Sequence, residues 1–233
     1  MQEKAVRIGF SILYVDTIAI HYLDVRIILD KKMKNTKLPV PQKENTFPLV
    51  KALESRRSIR KWNDEPLSEQ ELSNLLWAAC GITKEKMGKA KSKRTAPSAC
   101  NAQEIRVNVL LESGVYRYKE EIHELENINS DDIRAHIGTQ KMIKSAPMGL
   151  VYIADLSRMK GPFFRSMETK RFSAWVDTGY VSQNVYLYCA ASNLATVALA
   201  LINRDKLPVL MGLEEHQKIV LAQVVGHSLT SDD

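Results

Sequence analysis

Apolar residues recur at two spacings along this chain, and the spacing predicts the elements. From Val6 they alternate through Ile8, Phe10, Ile12 and Tyr14 and then Ile18, Ile20 and Tyr22, which predicts strand. Residues 34–46, with Pro39 and Pro41, read as an extended arm or linker. The pattern then becomes helical: Leu49 and Leu53 with Lys51, Glu54 and Arg56 predict a short amphipathic helix. Ser68 and Glu71 have the spacing of a capping box, Leu72, Leu75, Leu76 and Ala79 share one face, and Gly81 supplies the stop. Ile105, Val107, Val109 and Leu111 alternate as a half-buried strand closed by Ser113 and Gly114. Tyr116, Tyr118 and the charged stretch after them predict a hairpin arm, and Asp131–Asp132 open a predicted helix to Ser145.

Residues 149–154 form a continuous apolar strand, and Phe172 to Leu194 a long helix apolar nearly all round, hence central and buried. Ala195–Leu201 is another apolar run, Asp205–Leu213 a short helix, and Ile219–Val225 a final strand ended by Gly226. Helices and strands interleave, so the class is α+β or α/β. The change of pattern divides the chain into an N-terminal extension and linker, 1–46, and a domain, 47–233. Residues 1–32 are either an extension of little function or an extra strand pair on a sheet edge or a partner subunit.

Composition narrows the class. The chain has 233 residues, 45% hydrophobic and 26% charged, with 10 Gly and 8 Pro, which excludes disordered and collagen-like chains. No apolar run is long enough to span a bilayer, so no membrane partner is expected. The net charge of +6 is concentrated: Lys84–Arg94 carries six basic residues and one acidic, +5, leaving +1 for the rest. That loop has no aromatic residue for base stacking, so it reads as a solvated excursion and no nucleic acid is expected. Three cysteines, Cys80, Cys100 and Cys189, with no CxxC spacing, predict a reducing, cytoplasmic compartment. Cys100 reads as a small buried thiol and Trp62 and Trp175 as packing residues.

Several chemistries are excluded by missing motifs: no GxGxxG, no Walker loop, no HExxH and no GxSxG occur, and the five histidines show no ligand spacing, so no metal site is expected. Two polar groups remain. Arg56, Arg57, Ser58 and Arg60 set three guanidiniums and a hydroxyl where a helix gives way to extended chain, a donor set suited to phosphate. A helix C-terminus also attracts arginine without any ligand. Asn101 and Gln103, on a small-residue turn leading into a buried strand, can offer amides to a heterocycle edge, or simply make the turn.

RRSIRKW followed by RTAPSACNAQEIRV, then GVYRYKEEIHELENI, DDIRAHIGTQ, APMGLVYIAD, the long helix, NLATVALALINRD and IVLAQVVGH resemble, in that order, the nitroreductase-like family of FMN-dependent oxidoreductases. The likeness covers residues 47–228 and leans toward the branch with SagB-type dehydrogenases and small stand-alone nitroreductases. The resemblance implies an α+β fold with a mixed, mainly antiparallel central sheet flanked by helices, and an intertwined homodimer with FMN at its interface. It implies that Arg56, Arg57, Ser58 and Arg60 hold the phosphate, ribityl and pyrimidine side, that Asn101 and Gln103 meet the flavin edge, and that the backbone at Ala200 and Leu201 approaches the ring.

The implied activity is ping-pong hydride transfer from NADH or NADPH through flavin N5 to a planar acceptor such as a nitroaromatic or quinone. Arg60 is the candidate for stabilising the reduced flavin, and no general base is needed. Phe163 and Phe164 fall where the family places substrate-covering segments. Relatives often carry a glycine over the ring and a basic tail; here stand Val197–Leu201 and a short acidic end, which implies a more apolar site and looser FMN binding. The rivals are a non-enzymatic or decayed flavin-binding protein, a SagB-like azoline oxidase, and a basic adaptor resting on the Lys84–Arg94 loop.

Overall fold

The computed structural model describes residues 35–44, 47–88 and 90–229. The alternating segment Val6–Tyr22, the role of residues 1–32 and the last four residues lie outside the described residues. Strand β1, Thr36–Lys37, leads to helix α1, Leu49–Ser55, and helix α2, Glu69–Cys80. A small hairpin, β2 at Ile82–Lys84 and β3 at Lys93–Arg94, takes up the basic loop. The sheet strands β4 (Ile105–Leu111), β5 (Gly114–Lys119), β6 (Glu124–Asn129) and β7 (Met148–Asp155) follow. Then come the long helix α3, Met167–Ala191, strand β8, Leu194–Leu199, the short helix α4, Leu207–Leu210, and strand β9, Gln217–His227.

The sheet order is β1-β6-β5-β4-β7-β9-β8, and every pairing among the described strands is antiparallel. The α+β class is as expected. Side chains alternate across the sheet, so each central strand feeds two cores. Met148, Leu150, Tyr152 and Ala154 join Ile105, Val107 and Val109 in a core under α2 and α3. Val151 and Ile153 face the other way, with Leu110, Val197 and Val224, under short turns and α4. Four buried polar groups on the helix side form one network. Tyr152 Oη and Ser182 Oγ both donate to Gln223 Oε1, at 2.7 and 2.9 Å, and Gln223 Nε2 donates to Thr196 Oγ1. This network fixes α3 to the sheet, because leaving any member unpaired would cost about 1–3 kcal/mol.

The capping box of α2 is present: Ser68 Oγ accepts from the Glu71 N–H at 3.2 Å and Glu71 Oε2 accepts from the Ser68 N–H at 2.8 Å. Gly81 ends this helix for want of space, since a Cβ there would lie 2.3 Å from the Trp77 ring.

Four expectations change. Residues 131–145 are not a helix but two short 3-10 turns, Arg134–His136 and Lys141–Ser145. Asp132 binds the backbone and guanidinium of Arg134, which competes with helix formation. Gly138 then brings the chain against residues 201–202, where a Cβ would stand 2.5 Å from the Leu201 carbonyl. The stretch after Tyr116 forms the expected hairpin, but as two integral strands of the sheet, β5 and β6, with Tyr118 buried, rather than as an arm. The arm at 35–38 adds an edge strand to β6.

Helix α3 is not buried all round. Its sheet-facing side carries Ser173, Asp177, Thr178 and Ser182 with Val181 and Val185, while Phe172 and Trp175 are 67% and 59% exposed, with Val176 and Tyr180 beside them. In α1 only Ala52 is buried, and Leu49, Val50 and Leu53 face outward. Trp62 packs as expected and donates to the Ser145 carbonyl at 2.8 Å. Phe164 is a core residue stacked edge-on against the exposed Phe163, so it anchors its segment.

Candidate functional site

The arginine segment leaves α1 and runs along β8, held by the Ile59 N–H donating to the Thr196 carbonyl at 3.0 Å. Arg56 lies over the Tyr186 ring at 5.4 Å, a cation–π contact. Ser58 Oγ is 3.0 Å from Tyr186 Oη, which also accepts from the Ala198 N–H at 2.8 Å. One phenol on α3 therefore ties the arginine segment to the strand that leads to Ala200 and Leu201.

Those two residues are exposed, and Arg204 fixes their loop by donating from Nη1 to the Ala200 carbonyl and from Nη2 to the Val220 carbonyl. Tyr186 and Arg204 were not singled out from the sequence. Tyr186 lay within a run of apolar helix residues, and Arg204 in a loop with no recognisable spacing.

Arg56, Arg57 and Arg60 are fitted to an anion. Arg57 Nη1 donates to the Glu54 and Arg56 carbonyls, and Arg60 Nη1 to the Ser58 carbonyl. Among the described residues no carboxylate reaches ion-pair distance of any of the three, whereas Arg94, Arg106, Arg117 and Arg134 each have one. Three guanidiniums within five positions and without a carboxylate partner, beside the Ser58 hydroxyl, could match the oxygens of a phosphate ester.

The second group takes a different form from that expected. Cys100, Asn101 and Gln103 all have left-handed backbone, at φ 51°, 51° and 55°. Such conformations cost non-glycine residues of order 1 kcal/mol each, so the turn must be held by its contacts. Asn101 Nδ2 and Gln103 Nε2 both donate to the Ser92 carbonyl, at 3.1 and 2.7 Å, and Gln103 Nε2 also reaches Asn101 Oδ1. Gln103 is buried beneath the turn and supports it, while Asn101 remains half-exposed. Cys100 is exposed rather than buried, because the left-handed backbone turns it outward. Lys91 Nζ, from the basic loop, donates to the carbonyls of Asn101 and Ala102, so part of that loop braces the turn.

The two groups do not meet within one chain. The turn is attached to α3 through Asp177, whose Oδ2 accepts from the Ala99 N–H at 2.8 Å, and the arginine segment through Tyr186. Nine residues of helix separate these anchors by about 13.5 Å along the axis and about two and a half turns around it. They flank the buried face of α3 on opposite sides. In the sheet, β7 and β9 lie between β4, which follows the turn, and β8, beside the arginines, a gap of about 14 Å at roughly 4.8 Å per strand.

The chain is also similar to known proteins. A family model described as the nitroreductase family matches residues 53–227. A Methanocaldococcus jannaschii protein bearing a nitroreductase name is 29% identical, covering 74% of this chain and 88% of that protein. A crystal structure from Ralstonia eutropha, also bearing a nitroreductase name, has a TM-score of 0.77 at 32% identity and covers 85% of this chain and 91% of that one. A Desulfovibrio desulfuricans nitroreductase structure in complex with FMN shares the fold at a TM-score of 0.56 and 22% identity, covering 78% of this chain and 87% of that one. Strands β4 to β9, the arginine segment at β8 and the strained turn before β4 all fall within the matched span, and the chain belongs to the nitroreductase family.

Proposed function

We propose that this protein is an FMN-dependent oxidoreductase that works as a homodimer. The observation that carries the reading is the set of guanidiniums on Arg56, Arg57 and Arg60 without counter-charge, standing next to the Ser58–Tyr186–Ala198 link in a chain of this family. The arginines would bind the phosphate and ribityl end. Arg60, the last of the three, would set positive charge toward the pyrimidine side and so favour the reduced, more negative cofactor. The exposed backbone at Ala200 and Leu201, pinned by Arg204, would give the ring a firm support. When bound, FMN supplies two-electron transfer from NADH or NADPH to a planar acceptor such as a nitroaromatic or quinone. The protein's side chains need only bind, orient and exclude water; among the described residues no cluster of three or more metal-ligating side chains occurs.

Two features support the homodimer reading. The arginine segment and the 97–103 turn lie on opposite flanks of α3, so a site using both takes one from each copy. The aromatic stripe Phe172, Trp175, Val176 and Tyr180 and the outward Leu49, Val50 and Leu53 form apolar surface that a second copy would cover. Among the described residues no helix is long and apolar enough to cross a membrane, and the three unpaired cysteines fit a cytoplasmic setting.

Titration of the flavin-free protein with FMN, followed by flavin fluorescence, tests the site. Arg56→Ala and Arg60→Gln should each weaken binding by about tenfold or more, the worth of a charge-assisted hydrogen bond. Wild-type affinity in both variants, or no binding by the parent, would contradict the assignment.

A further inference from the structure

Glu104 follows the strained turn directly and is 0% exposed, yet among the described residues no donor reaches either of its carboxylate oxygens. The group in hydrogen-bonding range is the Asp177 carboxyl, itself an acceptor. Two carboxyls can face each other in a buried site only with a proton between them. Asp177 Oδ2 already accepts from the Ala99 N–H at 2.8 Å. The same aspartate on α3 therefore meets both ends of the turn, the Ala99 backbone at its start and the Glu104 side chain at its end.

One cation, Arg94, acts on the pair from nearby. It comes from the basic hairpin, is ion-paired with Glu120 and donates to the Ile105 carbonyl at 3.1 Å. Glu121 and Arg158 act on Arg94 rather than on Glu104. Cys80, on α2, is pushed up to about 11 by burial and stays a neutral thiol. Burial first, and then the Asp177 carboxyl, raise Glu104 to about 7, against the opposing pull of its own backbone amide and, more weakly, of Arg94.

We propose that Glu104 holds a proton that it donates to Asp177, and that this acid–carboxylate clasp is the positioning pair for the 97–103 turn, releasing it when the proton is lost. The proposal rests on the reading of that turn as part of the flavin site. Glu104 and Asp177 act through the turn and touch no cofactor. The linkage has a definite sign. Between about pH 4.5, the ordinary value, and about 7, the folded chain holds a proton that the unfolded chain gives up. The stabilisation is fully present below about 4.5, falls as pH rises, and is gone above about 7. Above that, two adjacent carboxylates repel, the Ala99 anchor loosens, and the left-handed residues lose one of the contacts that hold their turn.

The test compares wild type with Glu104→Gln, which keeps an N–H donor toward Asp177 at every pH and carries no charge. Three readouts are taken from about pH 6 to about pH 8.5: amide hydrogen exchange of the 97–103 segment, the thermal unfolding midpoint of the flavin-free protein, and FMN affinity. Taking the ratio of the two proteins removes the pH dependence of exchange chemistry and of FMN itself.

The expected result is that wild-type exchange accelerates and its midpoint drops relative to Glu104→Gln as pH rises. Wild-type FMN affinity should fall about tenfold more than that of the variant over the same range, since one proton is linked to binding. Parallel exchange and unfolding profiles would overturn the proposal. Divergent exchange with parallel FMN affinity would overturn the positioning role while leaving the clasp. Absence of FMN binding by wild type at every pH would strike the flavin reading alone, and the clasp would stand or fall on exchange and unfolding. If Glu104→Gln does not fold, the unfolding and exchange profiles of Asp177→Asn against wild type decide the same question.

Discussion

At the scale of single residues, Tyr186 joins the arginine segment, the long helix and β8 through one hydroxyl. The Ala198 N–H donates to that oxygen, and the Ser58 and Tyr186 hydroxyls share a hydrogen bond in which either can donate. Tyr186→Phe removes both bonds and keeps the ring beneath Arg56. FMN affinity measured by fluorescence titration should fall about three- to tenfold, with the fold intact, given about 0.5–1.5 kcal/mol per neutral hydrogen bond. The arginines stood out in the sequence because their chemistry is local: three guanidiniums in five positions form a donor set suited to an anion, and the structure gives none of them a carboxylate among the described residues. Glu104 and Asp177 did not, although Glu104 stands inside the quoted motif. A buried carboxyl is recognised by its partner, and that partner comes from a helix far along the chain. Gln103 was read as ligand-facing because spacing shows a side chain's type and neighbours but not its burial.

At the scale of elements, the chain is most legible where local rules act alone. The Ser68–Glu71 box starts α2 as its spacing requires, and β4 and β7 show the apolar patterns expected of them. Ser68→Ala should lower stability by about 1 kcal/mol in chemical denaturation, since a helix-end donor loses its acceptor, and should leave the family fold unchanged by circular dichroism.

Two elements misled for physical reasons. Residues 131–145 have helical periodicity, but Asp132 captures Arg134 and Gly138 sits where the chain must press against the Leu201 carbonyl. The α3 sequence looks apolar all round because two kinds of surface are superimposed: small and polar residues that pack on the sheet, and aromatics that face away from it. Periodicity cannot distinguish a core face from a face awaiting another subunit.

At the scale of the molecule, the proposed reading makes assembly part of the function, because the two residue groups it uses lie apart within one chain. Trp175, exposed on the aromatic stripe, lies in neither group. Trp175→Glu should shift the protein from dimer to monomer in sedimentation velocity and weaken FMN binding with it, because one copy alone offers only half of the contacts. The measurement that bears most directly on the whole account is the visible spectrum of the FMN-loaded protein during anaerobic addition of NADPH and then NADH. The account predicts flavin bands that bleach with at least one donor and return on adding a quinone or nitroaromatic. A protein that binds no flavin, or one whose bands persist with both donors, would contradict it.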